Sequence, residues 1–376
     1  MLFCDDYETG NALGSHSGCN KLCGCYITLP CFPPQYQSSL DTIFHALLFY
    51  SKDRDQFGNA SIFRLLIDQL NDLETQGLEL ELLQGKVQIY FKLGLIVGDN
   101  LGLHSILGFV ESFNANYACR FCKMDKDLRS MASLKDPVYI RTKSTYEKDF
   151  FHRLNDFHVK ENFAADIMHD VFEGVCMFDM AALLKHYVTV EKFFPLEQLN
   201  HRMHIHIWGA TESNIPLPIA DNDFRNEHLR RSAAEMLTFV RHFGLLVGDL
   251  VPEDDPAGQI YSILRQIINI ILSPSVQRGC HLMLRVLIHE HHTLVRSVLK
   301  RQLKPKDHIF THLPTIMAEC GPPIHFWCMR FEGKHRESTV PASVSNCKKK
   351  HCSNNCYEAS VKVCLPTLHD EYKSCF

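Results

Sequence analysis

The chain has 376 residues, which is enough for two domains or for one large domain that carries an insertion. Hydrophobic residues make up 45% of it, charged residues 22%, and the formal net charge is −4. These values are ordinary for a globular protein, and they exclude the strongly positive overall field of many nucleic-acid-binding chains. The sequence has no run of about eighteen apolar residues and no signal peptide, so we predict no membrane span and no secretion.

Cysteine is abundant, with sixteen residues along the chain. In a chain without a signal peptide this number indicates free thiols and metal ligands rather than a disulfide framework. Five of the cysteines crowd into the last thirty residues: Cys347, Cys352, Cys356, Cys364 and Cys375. Because apolar periodicity fades there, we expect a poorly ordered end, with a zinc site in this tail as the alternative.

The first part of the chain predicts a mixture of strands and helices. MLFC predicts a short strand that stops where the acidic residues begin, and KLCGCYITLP predicts a second strand. SSLDTIFHALLFY opens with a capping signature and has apolar residues at helical spacing, so it predicts a helix. SIFRLLIDQLNDLE predicts another helix by the same spacing.

The clearest strand signal follows these segments. KVQIYFKLGLIVGD alternates apolar and polar residues with a period of two and stops at Gly98 and Asp99. The next segment, NLGLHSILGFV, has the pattern of a helix.

From about residue 144 to 303 the pattern is helical with polar breaks. DIMHDVFEGVCMFDMAALLKHYV predicts one long amphipathic helix, and FRNEHLRRSAAEMLTFVRHF predicts another. DPAGQIYSILRQIINIIL predicts a third, with Asp255 as N-cap and Pro256 in the first turn, and HLMLRVLIHEHHTLVRSVLK predicts its partner.

The segment YACRFCKMD contains a Cys-x-x-Cys pair, Cys119 and Cys122, which would supply two of the four ligands of a tetrahedral zinc site. In KDHIFTHLP, His308 and His312 are four residues apart, so on a helix both imidazoles face the same way. With 22 histidines, however, some pair at this spacing is expected by chance, and HRMHIHIW and HEHH are equally dense.

Acidic residues at strand ends form a second constellation. Asp99 closes the clearest strand, and Asp5 and Asp6 close the first one. Acids that converge on one point need divalent cations between them, and two ions about 3.5–4 Å apart can cleave a phosphodiester. Glu332 in MRFEGKHRE is the candidate for the third acid. The alternative is that each aspartate is only a cap or turn residue.

Four segments carry a resemblance to a known family by their motifs and their order along the chain: DDYETGNALGSH, GDNLGLHSILGFVESFNANYACRFC, ADIMHDVFEGV and HLPTIMAECGPPIHFWCMRFEGKHRE. Together they resemble the catalytic region of CACTA-type (En/Spm) cut-and-paste transposases, distant relatives of the recombinase that assembles antigen-receptor genes. The resemblance runs from about residue 2 to residue 350. Its most specific part is the joint spacing, since Asp99 lies twenty residues before Cys119 and His312 lies twenty residues before Glu332.

The resemblance implies an α/β fold with an RNase H-like catalytic core, which a large α-helical insertion interrupts and a zinc ion staples together. Residues 1–125 are then the first part of the core, clipped at the N-terminus and ending in the Cys-x-x-Cys. Residues 126–303 are the helical insertion, and residues 304–345 complete the core with the histidine pair and the third acid. Residues 346–376 are a divergent tail rich in cysteine and lysine.

The resemblance also implies the roles of single residues. Asp5 takes the first acid position with Asp6 as its rival, Asp99 takes the second and Glu332 the third. Glu173, in the ADIMHDVFEGV signature, is the alternative for the third acid. The zinc ligands are implied to be Cys119, Cys122, His308 and His312.

The implied chemistry is DNA strand cleavage at a transposon end, followed by transfer of the freed 3′ hydroxyl to target DNA. The implied cofactors are Mg²⁺ or Mn²⁺ for catalysis and Zn²⁺ for structure. DNA is the implied partner, with a homodimer pairing two transposon ends, and the implied location is the nucleus.

A basic stretch, RSVLKRQLKPK, reads by itself as a solvated helix end. With the resemblance it becomes a candidate for phosphate contacts, as does CKKKHC in the tail. The five cations of the stretch are Arg296, Lys300, Arg301, Lys304 and Lys306.

Two other functional readings stay open. The chain could be a truncated or domesticated transposase that has lost catalysis and acts as a DNA- or protein-binding module. It could also be a mononuclear zinc hydrolase built on HEHH or Glu173, although it lacks the His-Glu-x-x-His spacing and a third ligand at a sensible position.

Overall fold

The structure is a computed structural model that describes residues 1–8, 21–33, 36, 39–146, 150–210 and 212–344. The predictions for the tail after residue 345, including its zinc site and the phosphate contacts of CKKKHC, lie outside these residues. Contacts divide the chain into two compact units. Unit 1 contains Met1–Glu111, Thr142–Ala164 and the chain from Cys328 onward, and unit 2 contains Ser112–Arg141 and Ala165–Trp327. The Cys-x-x-Cys and the histidine pair both belong to unit 2.

Unit 1 is built on a four-stranded mixed sheet. Its strands are β1 (Leu2–Glu8), β2 (Lys21–Thr28), β3 (Ile43–Tyr50) and β6 (Ile96–Val97). The spatial order is β3-β2-β1-β6, with antiparallel pairing except between β1 and β6, which run parallel. A separate antiparallel ribbon joins β4 (Leu78–Leu82) to β5 (Gly85–Ile89).

Three predicted elements of unit 1 need correction. The first strand does not stop at Asp5 and Asp6 but continues to Glu8, because β2 pairs with it along its whole length. SSLDTIFHALLFY is not a helix: after a short turn it becomes β3, whose pairing with β2 overrides the helical spacing of its apolar residues. KVQIYFKLGLIVGD is not one strand but two, β5 and β6, which belong to different sheets.

Helices of unit 1 pack on both faces of the sheet. Helix α1 (Ser51–Thr75) has a break at Gly58, where φ is 75°, and α2 (Asn100–Ile106) follows β6 directly. Phe63 of α1 packs edge-on against Phe49 of β3. On the other face, Phe331 of the last described helix, which spans Met329–Val344, stacks on Phe3 of β1 with ring centroids 4.7 Å apart.

Unit 2 is helical. A π-helical segment, Met168–Val175, runs directly into α4 (Cys176–Leu184) and then into a second π-helical segment, Lys185–Val190, which confirms the long helix predicted there. The other helices are α3 (Lys126–Met131), α5 (Leu196–Ile205), α6 (Asp221–Arg225), α7 (Ala233–Val247), α8 (Pro256–Ile271), α9 (Cys280–Ser297), α10 (Pro305–Phe310) and α11 (Leu313–Cys320). The helix over Met329–Val344 in unit 1 is α12.

The clearest helix prediction in unit 2 is confirmed. The side chain of Asp255 caps α8 by accepting hydrogen bonds from the backbone N–H groups of Ala257 and Gly258, at 3.0 and 3.2 Å. Six apolar residues at helical spacing form a stripe along α8, and all of them are buried: Ile260, Ile263, Leu264, Ile267, Ile268 and Ile271. FRNEHLRRSAAEMLTFVRHF, by contrast, is divided between α6 and α7, because Ser232 and Glu235 form a capping box that starts a new helix. Within the described ranges, no helix combines the length and apolar character needed to cross a membrane.

Candidate metal centre and acidic cavity

The four predicted zinc ligands meet in unit 2. Cys119 and Cys122 lie in the loop between α2 and α3, His308 lies on α10, and His312 immediately precedes α11. The Cys119 Sγ atom lies 3.5 Å from His312 Nε2, and Cys122 Sγ lies 3.2 Å from His308 Nε2. The two imidazole Nε2 atoms are 3.3 Å apart, and all four side chains are buried.

This geometry fits a tetrahedral metal ion. An ion about 2.3 Å from sulfur and about 2.0 Å from nitrogen separates its ligand atoms by roughly 3.3–3.8 Å. The separations of 3.3 and 3.5 Å lie within this range, the separation of 3.2 Å lies 0.1 Å below it, and all four ligand atoms lie within 4.8 Å of one another. The buried Cys/His cluster could therefore hold a metal such as zinc, in a closed site of the structural kind.

Neighbouring residues hold the cysteine loop in shape. The Arg141 Nε–H donates to the carbonyl oxygens of Cys119 and Cys122, at 3.0 and 3.2 Å. The backbone N–H of Phe121 donates to Cys119 Sγ, at 3.4 Å, and the Phe121 ring stacks on His312 with centroids 4.9 Å apart. These contacts orient the two cysteines and His312, as metal-binding side chains require. The Nδ1 atom of His308 is buried and has no hydrogen-bond partner among the described residues.

The protonation pattern of the cysteines also suits a metal site. Burial raises the pKa of Cys119, but its hydrogen bond with Cys122 and the nearby His312 and His308 outweigh this, so its pKa lies well below the usual range. The hydrogen bond to Cys119, together with burial, raises the pKa of Cys122. A metal ion binds the thiolate form of cysteine, so the lowered pKa of Cys119 suits a metal ligand.

The second candidate site is a cavity of about 330 Å³ in unit 1. Three of the predicted catalytic acids line it, namely Asp5, Asp6 and Asp99. The cavity lies beside the parallel strands β1 and β6. This is a topological switch point, because the chain continues from β1 to β2 on one side and β6 pairs with β1 on the other. Such positions are where sheet proteins commonly bind ligands.

Asp5 and Asp6 point to opposite faces of the sheet, because they are neighbours in one strand. The Asp5 carboxylate accepts hydrogen bonds from the Asp6 backbone N–H, at 2.8 Å, and from the imidazole of His335, at 3.1 Å. Asp6 is held by α1 on the other face, where its carboxylate accepts from Ser51 Oγ at 3.0 Å and from Arg54 Nη2 at 2.9 Å.

Asp99 caps a helix and lines the cavity at the same time. It follows β6 and is the N-cap of α2, with its carboxylate accepting a hydrogen bond from the Gly102 backbone N–H. The sequence left two roles open for Asp99, a helix cap or an acid presented at a strand end. In the structure the Asp99 side chain does both.

The two candidates for the third acid lie elsewhere. Glu332 is in the first turn of α12 in unit 1, and Glu173 is in the π-helical segment of unit 2. Neither lines the acidic cavity. Among the described residues, no three carboxylates bring their oxygen atoms within 4.8 Å of one another, so the acids do not converge in this conformation.

The basic stretch after α9 is partly internal. Arg301 is buried, and its guanidinium bonds to Asp179 at 2.6 Å and to Asp307 at 2.8 and 2.9 Å, so it is not available to a phosphate here. The ammonium group of Lys306 donates to two backbone carbonyl oxygens of the π-helical segment. Arg296 and Lys300 are exposed, and the ammonium group of Lys304 lies 4.6 Å from the ring centre of Phe178.

Sequence reasoning missed the residues that support both sites. His335 could have been found, because it follows Glu332 by three residues in FEGKHRE and so shares part of its helical face. Arg141 and Arg54 carry no sequence signal, since each acts on residues that are distant along the chain.

Protein-family models and curated proteins were both searched with this sequence, and neither search found a match. The assignment of function therefore depends on the geometry of the two sites and on the resemblance of the motifs.

Proposed function

We propose that the chain is a transposase-like enzyme that cleaves DNA strands and transfers them by a two-metal mechanism. The observation that carries the proposal is that Asp5 and Asp99, which are far apart in sequence, line one cavity beside adjacent parallel strands. An RNase H-like core, which the resemblance implies, carries its first two acids on its sheet. The order β3-β2-β1-β6 with its single parallel pair is compatible with that core.

Each residue of the proposed site has a defined task. Asp5 and Asp99 would hold Mg²⁺ or Mn²⁺, the hard cations that carboxylate oxygens prefer. When bound, such ions activate a water or hydroxyl and stabilise the leaving oxygen of a phosphodiester. Glu332 would complete the site from α12 by a movement of its side chain or of its helix towards the cavity.

The metal centre of unit 2 would have a structural role in this scheme. A zinc ion there would join segments that are 186 residues apart at Cys122 and His308. Closing so long a loop fixes the two ends of unit 2 that carry the ligands. As a transposase, the protein would act in the nucleus on transposon ends and target DNA, as a homodimer that pairs the two ends.

One observation favours a second function. The three acids do not converge among the described residues, and Glu332 lies outside the cavity. A protein that kept this arrangement permanently would lack catalysis and would act as a DNA- or protein-binding module derived from a transposase.

Nicking of supercoiled DNA in the presence of Mg²⁺ or Mn²⁺ distinguishes the two functions. We expect the parent chain to nick, and Asp99→Asn to be slower by about a hundredfold or more, because several kcal/mol of metal-dependent stabilisation disappear. Asparagine caps a helix as well as aspartate does, so the fold of α2 should survive the change.

Asp68→Asn is the matched control, since Asp68 is a half-exposed aspartate on α1 that does not line the cavity. It should nick like the parent. Absence of metal-dependent nicking by the parent, or equal activity of Asp99→Asn, would refute the enzymatic proposal and leave the binding module.

A further inference from the structure

One histidine connects the proposed first acid to the middle of the sheet. His335 of α12 is buried between Tyr26 of β2 and Asp5 of β1. Its Nδ1 atom lies 2.9 Å from the Tyr26 hydroxyl, and its Nε2 atom lies 3.1 Å from Asp5 Oδ2. All three residues belong to unit 1, and they form a chain of two hydrogen bonds.

The chemistry of the partners assigns the protons in this chain. Burial, with the nearby Tyr7, raises the pKa of Tyr26, so its hydroxyl keeps its proton and donates to Nδ1. An ionised carboxylate can only accept, so Nε2 must carry the hydrogen that is donated to Asp5. When the Tyr26 hydroxyl donates to Nδ1, it selects the tautomer of His335 that carries its hydrogen on Nε2 and donates to Asp5.

These contacts fix the orientation of the Asp5 carboxylate. Its Oδ2 accepts from His335, and its Oδ1 accepts from the Asp6 backbone N–H at 2.8 Å. A carboxylate has about four lone-pair positions, so two bonds leave others for a metal ion. Carboxylate ligands of metals are commonly held by such hydrogen bonds, and removing them typically costs about 10–100-fold in metal affinity.

Asp6 is held mainly by cations. Its carboxylate is paired with Arg54 at 2.9 Å and lies 3.6 Å from the ammonium group of Lys21. Two cations beside one carboxylate neutralise it and disfavour a further cation.

We propose that His335, held by Tyr26, is the positioning residue that orients Asp5 to bind a divalent metal ion, and that Asp5 rather than Asp6 is the metal ligand. This inference rests on the proposed function of the cavity and adds two residues to it. The ring of His335 also stacks on Tyr7, with centroids 4.0 Å apart, so the test must separate orientation of Asp5 from packing.

The experiment is a Mn²⁺ titration of the full, zinc-loaded chain, followed by electron paramagnetic resonance of the free ion. Asp5→Asn identifies the binding that depends on this acid. His335→Phe keeps a stacking ring but loses the donor, and we expect it to weaken that binding about 10–100-fold. His335→Gln places an amide N–H close to the position of Nε2, so it should restore affinity to near that of the parent.

Two further variants complete the set. Tyr26→Phe leaves the imidazole tautomer unselected and should lose less affinity than His335→Phe. His45→Gln is the matched control. His45, on β3, lies beside Tyr26 with ring centroids 5.0 Å apart, and it has no hydrogen bond to Asp5. Zinc content and the urea midpoint show whether each variant is folded.

The outcomes separate the inference from the proposed function. Parental affinity in His335→Phe, or equal losses in His335→Phe and His335→Gln, would overturn the positioning role. Asp5-dependent Mn²⁺ binding without DNA nicking would overturn the enzymatic function and leave the inference standing. A parent chain that binds no Mn²⁺ at Asp5 overturns both.

Discussion

Arg141 supports the cysteine half of the candidate metal centre. Besides the carbonyl oxygens of Cys119 and Cys122, its guanidinium binds the carbonyl of Tyr117, at 3.2 Å. A loop that turns tightly around a metal leaves such carbonyl groups without backbone partners, and one arginine satisfies three of them. The positions of the two sulfur atoms are therefore set by a side chain that is not a ligand.

We predict that Arg141→Ala weakens zinc binding about 10–100-fold, the usual cost of losing a residue that orients metal ligands. Competition with a chromogenic chelator would measure it. Lys123→Ala is the control, since Lys123 is exposed in the same loop and contributes its backbone N–H to a bond with Tyr139. Equal affinity of the two variants would show that Arg141 does not orient the ligands.

At the scale of elements, the end of α9 and the start of α10 are joined to α4 by a buried polar network. Asp179 of α4 accepts from His291 at 2.8 Å and from Arg301 at 2.6 Å, and Arg301 also pairs with Asp307. Burial raises the pKa of Asp179, but His291 and Arg301 outweigh it and lower the pKa to about 2. The stability from this carboxylate is therefore complete above pH of about 4 and is lost as the pH falls through about 2.

We predict that Arg301→Ala destabilises the chain by about 3–5 kcal/mol, because it leaves two buried carboxylates without their cation. Arg296→Ala should change stability by less than about 0.5 kcal/mol, because Arg296 is exposed and its guanidinium donates to the backbone carbonyl of Met131. Urea unfolding at neutral pH would measure both. If Arg301→Ala were as stable as the parent but bound DNA more weakly, the phosphate-contact role expected from the sequence would be restored.

Elements also show how far local pattern predicts structure. The Asp255 cap and the isoleucine stripe of α8 were predictable, because both depend on residues within the helix itself. The apolar residues of β3 also have the spacing of a helix face. Only pairing with the neighbouring strand β2 decides that they form a strand. Pairing partners are set by contacts that a local pattern does not contain.

At the scale of the whole molecule, the chain passes between its two units several times. Unit 1 is assembled from three stretches of sequence and unit 2 from two. The metal centre and the acidic cavity belong to different units, so each can be perturbed separately.

We predict that removing zinc destabilises unit 2 selectively. A metal ion that binds only the folded state stabilises that state. The stabilisation grows with the logarithm of the ratio of the free metal concentration to the dissociation constant. After chelation, amide hydrogen exchange should increase around Cys119–Arg141 and α10, and amides of the β1–β2 pair should stay protected. The variant His308→Ala/His312→Ala should show the same pattern without a chelator.

Elemental analysis would accompany that experiment. One zinc per parent chain and none in the double variant would confirm that the cysteine and histidine pairs share one ion. Retention of zinc by the double variant, or uniform exchange in both units, would contradict the metal centre.

The sequence by itself determined the types and spacings of the candidate metal ligands, the cap and stripe of α8, the long helical stretch over residues 168–190 and a strand that ends shortly before Asp99. Each of these depends on residues close together in the chain or on the ligand preference of a metal. The tertiary structure alone decided that β1 continues through Asp5 and Asp6, that Arg301 is internal and that His335 reaches Asp5. These relations depend on strand pairing and on contacts between distant segments, and residue spacing along the chain does not specify them.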